Sequence, residues 1–172
     1  LGTETVGSLS YTSDEMNRIF ANEIFIGNAT SGPMTISATI APANISATCR
    51  ITLQTQIDLI MSGGGIATLG GNVRLRSPQI YPNFSGADIS MGTGILTFDP
   101  PGRRVNIVID GPIANTNYTQ LNVIGVINIF ATNLSITGSY TPTAGETFTI
   151  INNDGTDPIQ NGFNNVTEGG IF

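Results

Sequence analysis

Gln120-Leu-Asn-Val-Ile-Gly-Val-Ile-Asn-Ile129, Asn133-Leu-Ser-Ile-Thr-Gly-Ser-Tyr-Thr-Pro-Thr-Ala-Gly-Glu-Thr-Phe-Thr-Ile-Ile-Asn-Asn-Asp-Gly-Thr-Asp157 and Gly162-Phe-Asn-Asn-Val-Thr-Glu-Gly-Gly-Ile-Phe172 make up most of the last third of the chain. Short alternating runs follow one another here with no helical period between them. Every break is a Gly, an Asn or a Pro. A segment of this kind cannot bury both faces of its strands alone, and it predicts copies of itself stacked above and below.

The same texture extends toward the N-terminus. Met34, Ile36, Ala38 and Ile40 alternate with Thr35, Ser37 and Thr39, and similar runs occur at Glu23–Ile26, Arg50–Gln54, Val73–Arg76 and Val105–Ile109. Shorter apolar pairs follow at Ile89/Met91, Leu96/Phe98, Leu121/Val123, Ile127/Ile129, Leu134/Ile136 and Phe148/Ile150. Runs of this length are strands rather than helices. Turn signals separate them at Gly27-Asn28, Ser31-Gly32-Pro33, Ser62 to Gly65, Gly70-Gly71-Asn72, Pro100-Pro101-Gly102 and Asp154-Gly155. The Asp154-Gly155 turn is expected between a strand ending at Ile151 and one at Ile159. The fold class expected is all-β. Its first form is a right-handed parallel β-helix (β-solenoid), and an antiparallel β-sandwich is the alternative. Three strands per coil would give a repeat of roughly 20 to 25 residues. About seven coils at ~4.8 Å each would make a rod roughly 35 Å long. The helix candidate is Ser13 to Ala21, with Ser13 as N-cap and Asp14-Glu15 in the favourable first turn.

Composition narrows the function. The chain has 172 residues, 21 Gly and 9 Pro, no His and no Trp; its basic residues are six arginines and its net charge is -6. A nucleic-acid partner is not expected, because phosphate binding needs clustered cations. The nearest approach to a basic patch is Arg103-Arg104 with Arg74 and Arg76, expected to be ordinary surface charges. Without His, no Ser-His or Cys-His pair and no His-based metal site can form. Cys49 stands alone and is expected to be a small buried or half-buried residue. No apolar run reaches the length of a membrane span.

Two stretches resemble the large secreted β-helix proteins of bacteria, the filamentous-haemagglutinin-like and autotransporter-like adhesins. One is Ser13-Asp14-Glu15-Met16-Asn17-Arg18-Ile19, then Ile24 to Ala29, with Thr35-Ile36 and Leu53-Gln54-Thr55; Met16 stands where Leu is usual in that unit. The other is similar to a repeat terminator whose core here is Tyr140, Pro142, Gly145, Phe148, Ile150 and Ile151, followed by Asn153, Asp154 and Gly155. The resemblance implies a right-handed parallel β-helix forming part of an exported adhesin or surface filament. The expected domain is a single β-solenoid over residues 1–172, a fragment of a longer repetitive exported chain. It would be extracellular or at the cell surface, non-enzymatic, and partnered end to end by neighbouring copies or domains, with surface glycans or proteins as further partners. No catalytic, cofactor or metal residues are expected.

Two alternatives carry named residues. Many β-helix proteins are polysaccharide lyases or hydrolases, which need acids on one face. Asp88, Asp99 and Asp110 recur at a spacing of 11, so Asp88 and Asp110 could stack, with Arg103 or Arg104 nearby. Asp before Gly or Pro is also ordinary turn chemistry. A glycan-binding module would instead use a platform of Tyr81, Phe84 and Tyr118. The Asn152–Asp157 stretch lacks the ligand pattern of a calcium loop. Asn-x-Ser/Thr sequons occur at Asn28, Asn44, Asn83, Asn117, Asn133 and Asn165. Asn side chains can also form ladders between stacked strands.

Overall fold

A computed structural model describes residues 10–82, 88–99, 102–154 and 156–167. In chain order these residues form α1 (Ser13–Met16), β1 (Glu23–Gly27), β2 (Met34–Ile36), β3 (Arg50–Gln54), β4 (Asp58–Met61), β5 (Ile66–Ala67), β6 (Asn72–Arg76), β7 (Gln79–Tyr81), β8 (Ile89–Phe98), β9 (Arg104–Val108), β10 (Leu121–Asn128), β11 (Asn133–Thr137), β12 (Ile151–Asn153) and β13 (Ile159–Gln160). The class is all-β. Among the described residues no helix is long and apolar enough to cross a membrane.

The strands form two sheets. One has eight strands along the path β1-β3-β6-β8-β10-β12, with β5 paired to β8 and β13 to β10; the other has five in the order β11-β9-β7-β4-β2. Every pairing between named strands is parallel. The antiparallel sandwich is therefore not formed. Successive passes of the chain visit the two sheets in turn, and each pass adds its strands beside those of the pass before.

Register is what makes this arrangement a core. Ile24, Ile51, Val73, Leu96, Ile127 and Ile159 fall in one row across the larger sheet. Ile66, Ile89 and Val123 make a second row there, with Ile40 bridged to Ile66. Met34, Leu59, Ile80, Val105 and Leu134 make the row of the smaller sheet. Almost all of these residues are sealed from solvent and belong to one apolar cluster. Stacking like on like lets β-branched and Leu side chains interdigitate at crystal-like density. The positions in the first row are separated by 27, 22, 23, 31 and 32 residues. The expected 20–25-residue repeat holds for the middle of the chain and lengthens after Leu96. Among the described residues the longest row has six levels, against the seven expected, and the later passes carry longer crossovers.

Glycines set one corner. Between the two rows of the larger sheet the chain bends at Gly71, Gly94 and Gly125, one above the other. A Cβ on Gly94 would stand 2.6 Å from the Gly71 carbonyl oxygen, and one on Gly125, whose φ is +124°, 2.8 Å from that of Gly94. Only glycine permits the backbones to approach this closely.

Several sequence-based expectations shift in detail. The N-cap is Thr12 rather than Ser13: its hydroxyl accepts from the Glu15 N–H, while the Glu15 carboxylate accepts from the Thr12 N–H at 2.8 Å, a capping box. Ser13 instead ties α1 to the chain at Ala41, whose N–H donates to its hydroxyl. Phe148 and Ile150 lie outside any strand. Phe148 packs edge-to-face on Tyr118 at 5.2 Å and on Tyr140 at 6.1 Å. The runs on either side of Asp154 do not pair with each other; β12 and β13 lie one after the other along β10. Gly155 lies outside the described residues. The Asn ladders do form: Asn152 donates to the Asn122 side chain at 3.1 Å and Asn161 to that of Asn128 at 3.1 Å.

The two ends of the stack differ. Ile24, Ile36 and Ile40 in the first pass are buried, whereas Ile136 and Ile159 in the last are 39% and 43% exposed.

Candidate functional site

Where the chain crosses from the larger to the smaller sheet, outward residues gather charge. Gln54, Arg76 and Asp99 occupy successive levels of one column, because Gln54 pairs with Arg76 and Leu75 with Phe98, the residue before Asp99. The Asp99 Oδ2 atom lies in ion-pair contact with Arg74 Nη2 at 3.1 Å and Arg76 Nε at 3.2 Å, the latter without hydrogen-bond geometry. Arg103, one position before β9, completes the corner. Its guanidinium is pushed below its ordinary pKa, first by burial and then by the charge of Arg76, with Asp99 opposing both. Arg103 Nε is buried without a hydrogen-bond partner among the described residues. A cavity of about 290 Å³ opens here, lined by Ala29, Gln54, Thr55, Gln56, Arg76, Pro78 and Arg103. Arg74 and Arg76 thus pair with Asp99, and Arg103 feels its charge without an ion-pair contact.

One level column away, Glu23 and Arg50 form a bidentate pair, with Arg50 Nε to Oε1 at 3.1 Å and Nη2 to Oε2 at 2.8 Å. The Thr52 hydroxyl donates to the same carboxylate. Together these hold Glu23 at a pKa of about 2, since hydrogen bonds to the charged form favour it.

The outer face of the smaller sheet carries a second concavity, of about 360 Å³. Asp58, Ile60, Tyr81, Pro82, Asn106 and Thr119 are among its walls. Asp58 Oδ1 is buried there without a hydrogen-bond partner among the described residues, and the Tyr81 hydroxyl donates to the Gln79 side chain at 3.2 Å.

The residues singled out from the sequence are dispersed. Asp88 is fully buried and its carboxylate accepts from the Asn122 backbone N–H at 2.8 Å. Asp110 is exposed and accepts from both the N–H and the hydroxyl of Ser139, which lower its pKa, the backbone bond most. Asp88 and Asp110 therefore sit in unlike surroundings, one with no access to a substrate. Asp99 and Arg103 are brought together; Arg104 is exposed at the start of β9. The aromatic platform is not assembled: Tyr118 is buried against Phe148, Tyr81 faces its groove, and Phe84 lies outside the described residues. Cys49 is a free thiol, half-buried beside the core, with Ser46 Oγ and Thr48 Oγ1 each 3.9 Å away. Among the described residues no three Cys, Asp or Glu side chains converge as a metal cage would require.

Sequence reasoning grouped Arg74, Arg76 and Arg103 as surface charges and set Arg103 beside Asp88 and Asp110, not beside Asp99. The signal was the 23-residue offset between Arg76 and Asp99, equal to that between Val73 and Leu96, which has meaning only once the register is known.

Comparison of the chain with protein-family models, with curated protein sequences and with solved structures finds no match in any of the three.

Proposed function

We propose that the chain is a right-handed parallel β-helix serving as a non-enzymatic structural and adhesive segment of an exported surface protein or extracellular filament, of the kind its motifs resemble. The observation that carries this reading is the stacking of Ile24, Ile51, Val73, Leu96, Ile127 and Ile159 in one parallel row. A fold whose passes contact only their neighbours is suited to length and to presenting a repetitive face rather than to enclosing a catalytic centre. The partner expected is a neighbouring copy or domain at the last pass. There Ile136 and Ile159 are incompletely covered, and β12 and β13 each pair with a named strand on one side only, while the outer edge of β11 is held at Leu134 by the Asn165 side chain. An unpaired strand edge beside exposed apolar side chains is a template for further strands.

Electron microscopy of the purified protein, with mass by light scattering across a concentration series, tests the assembly. Rods with a subunit repeat of roughly 25–30 Å, the height of six levels at ~4.8 Å spacing, support it. A monodisperse monomer at every concentration refutes end-to-end stacking by this chain.

A second reading, glycan binding, is favoured by the groove around Tyr81. An aromatic face, an apolar floor at Ile60 and polar groups of Asp58 and Asn106 are the combination that a sugar ring recruits. Glycan-array binding lost on Tyr81→Ala supports it, and a blank array against native protein refutes it.

A further inference from the structure

We infer that the corner formed by Arg76, Arg103, Gln54 and Gln56 is an oxyanion-binding site, taking a carboxylate, sulfate or phosphate group carried on a small polar molecule. The charge balance is the first ground. The chain carries six cations and twelve anions, yet Arg74, Arg76 and Arg103 gather at one crossover where Asp99 is the carboxylate in ion-pair contact, and Arg74 is drawn also toward Glu23. Asp99 is engaged by Arg74 and Arg76, and no carboxylate oxygen among the described residues lies within ion-pair distance of Arg103.

Burial is the second ground. Arg103 Nε is shut away from water without a hydrogen-bond partner among the described residues. A desolvated, unpartnered N–H of a cation costs more than an ordinary surface charge, and an incoming oxyanion offsets that cost with a charge-assisted hydrogen bond. The charge of Arg76 works against that of Arg103, and a bound anion beside Arg103 would offset that repulsion.

The cavity supplies the third ground. At about 290 Å³ it accommodates a group the size of a single sugar acid. The Gln54 and Gln56 amides and Pro78 in its lining offer hydrogen bonds and a small apolar wall beside the guanidinium groups. The planar fork of Arg suits carboxylates and tetrahedral oxyanions alike. The site is built by the ladder itself: Gln54 and Arg76 are register partners, and the crossover brings Arg103 beside them.

The test titrates sodium sulfate, sodium phosphate and sodium glucuronate separately into the protein at constant ionic strength, with glucose as the uncharged control. Calorimetry and the ¹⁵N–¹H resonance of the Arg103 Nε–H are followed together. The expected result is saturable binding of at least one anion, a shift of that resonance, and no response to glucose. Arg103→Gln and Arg76→Gln should each weaken binding about tenfold or more, as expected for the loss of one charge-assisted bond. Arg104→Gln, on an exposed neighbour, should leave it unchanged. Tighter binding of glucuronate than of sulfate or phosphate assigns the site to a sugar acid, and the reverse to a free or ester-linked tetrahedral anion. A thermal midpoint for each variant checks folding, and Gln56→Ala, on an exposed residue, provides a lining change that spares the ion pairs. A response linear in concentration for all three anions overturns the proposal. So does saturable binding equally strong in folded Arg103→Gln.

Discussion

Leu96→Ala and Ile159→Ala remove side chains from the same row of the same sheet, and the structure gives them different costs. Leu96 has no exposed surface and lies between Val73 and Ile127. Truncating it removes three carbons from a filled interior and leaves a cavity whose walls are β-strands held by neighbours on both sides. The expected loss is about 3 kcal/mol, within the range for buried Leu to Ala. Ile159 is 43% exposed and has one named-strand neighbour, β10. Truncation there loses part of a transfer energy and encloses no cavity, so about 1 kcal/mol is expected. Urea unfolding followed by far-ultraviolet circular dichroism resolves the difference. With an m-value of about 2–3 kcal/mol/M, Leu96→Ala should lower the midpoint by about 1 M and Ile159→Ala by a third of that. The two sites are two levels apart, roughly 10 Å at strand spacing, so the double variant should be the sum of the singles to within about 0.5 kcal/mol. An equal cost for the two substitutions would mean that the last pass is covered in solution. A cost below about 1 kcal/mol at Leu96 would refute the row as the core.

Three further outcomes follow from particular contacts. Glu23 is held near a pKa of about 2 against an ordinary 4.5, so its contribution is present above pH 4.5 and lost as pH falls toward 2; Glu23→Gln should cost about 1 kcal/mol at pH 7, discounted for the partial exposure of the pair, and thermal midpoints of the two proteins should converge near pH 2. Gly125→Ala places a Cβ against the Gly94 carbonyl at a φ of +124° and should cost about 2–3 kcal/mol, whereas Gly92→Ala, at φ +59° with open space around it, should cost about 1 kcal/mol by chemical denaturation. Asn165 receives the Leu134 N–H and donates to the Leu134 carbonyl, both at 2.8 Å, standing in for a missing strand; Asn165→Ala should cost about 1–2 kcal/mol and strip hydrogen-exchange protection from the Leu134 amide, and unchanged protection would show that the clamp does not hold.

The inward-facing apolar alternation was legible because it repeats within five residues: Arg50–Gln54 is a strand with the bounds its pattern predicts. Gln79–Tyr81 and Asp58–Met61 were not legible, since runs of three or four residues show no period of their own and gain their partners from 20 or more residues away. Tyr81, just before Pro82 in a stretch that Pro78 opens, reads as part of a Pro-bounded loop in the sequence and ends a strand in the fold. Phe148 and Ile150 alternate like a strand, but aromatic packing on Tyr118 and Tyr140 overrides that pattern. The charged corner depends wholly on register: the 11-residue recurrence of Asp88, Asp99 and Asp110 is visible in the sequence and unrelated to the stacking, while the 23-residue offset that joins Arg76 to Asp99 is inconspicuous there.

Strands that add one beside the next also decide how the molecule answers a mechanical load. Tension applied to the last residues would act on β13 and β12 first, and their hydrogen bonds to β10 would open one after another, as in unzipping, rather than rupture together in shear. Each pass released frees the chain up to its next level, between 22 and 32 residues in the core row. At about 3.3–3.6 Å per extended residue, a force–extension trace would show successive lengthenings of roughly 75–110 Å. The chain would pay out in steps under load and shorten again as passes re-form on the remaining template.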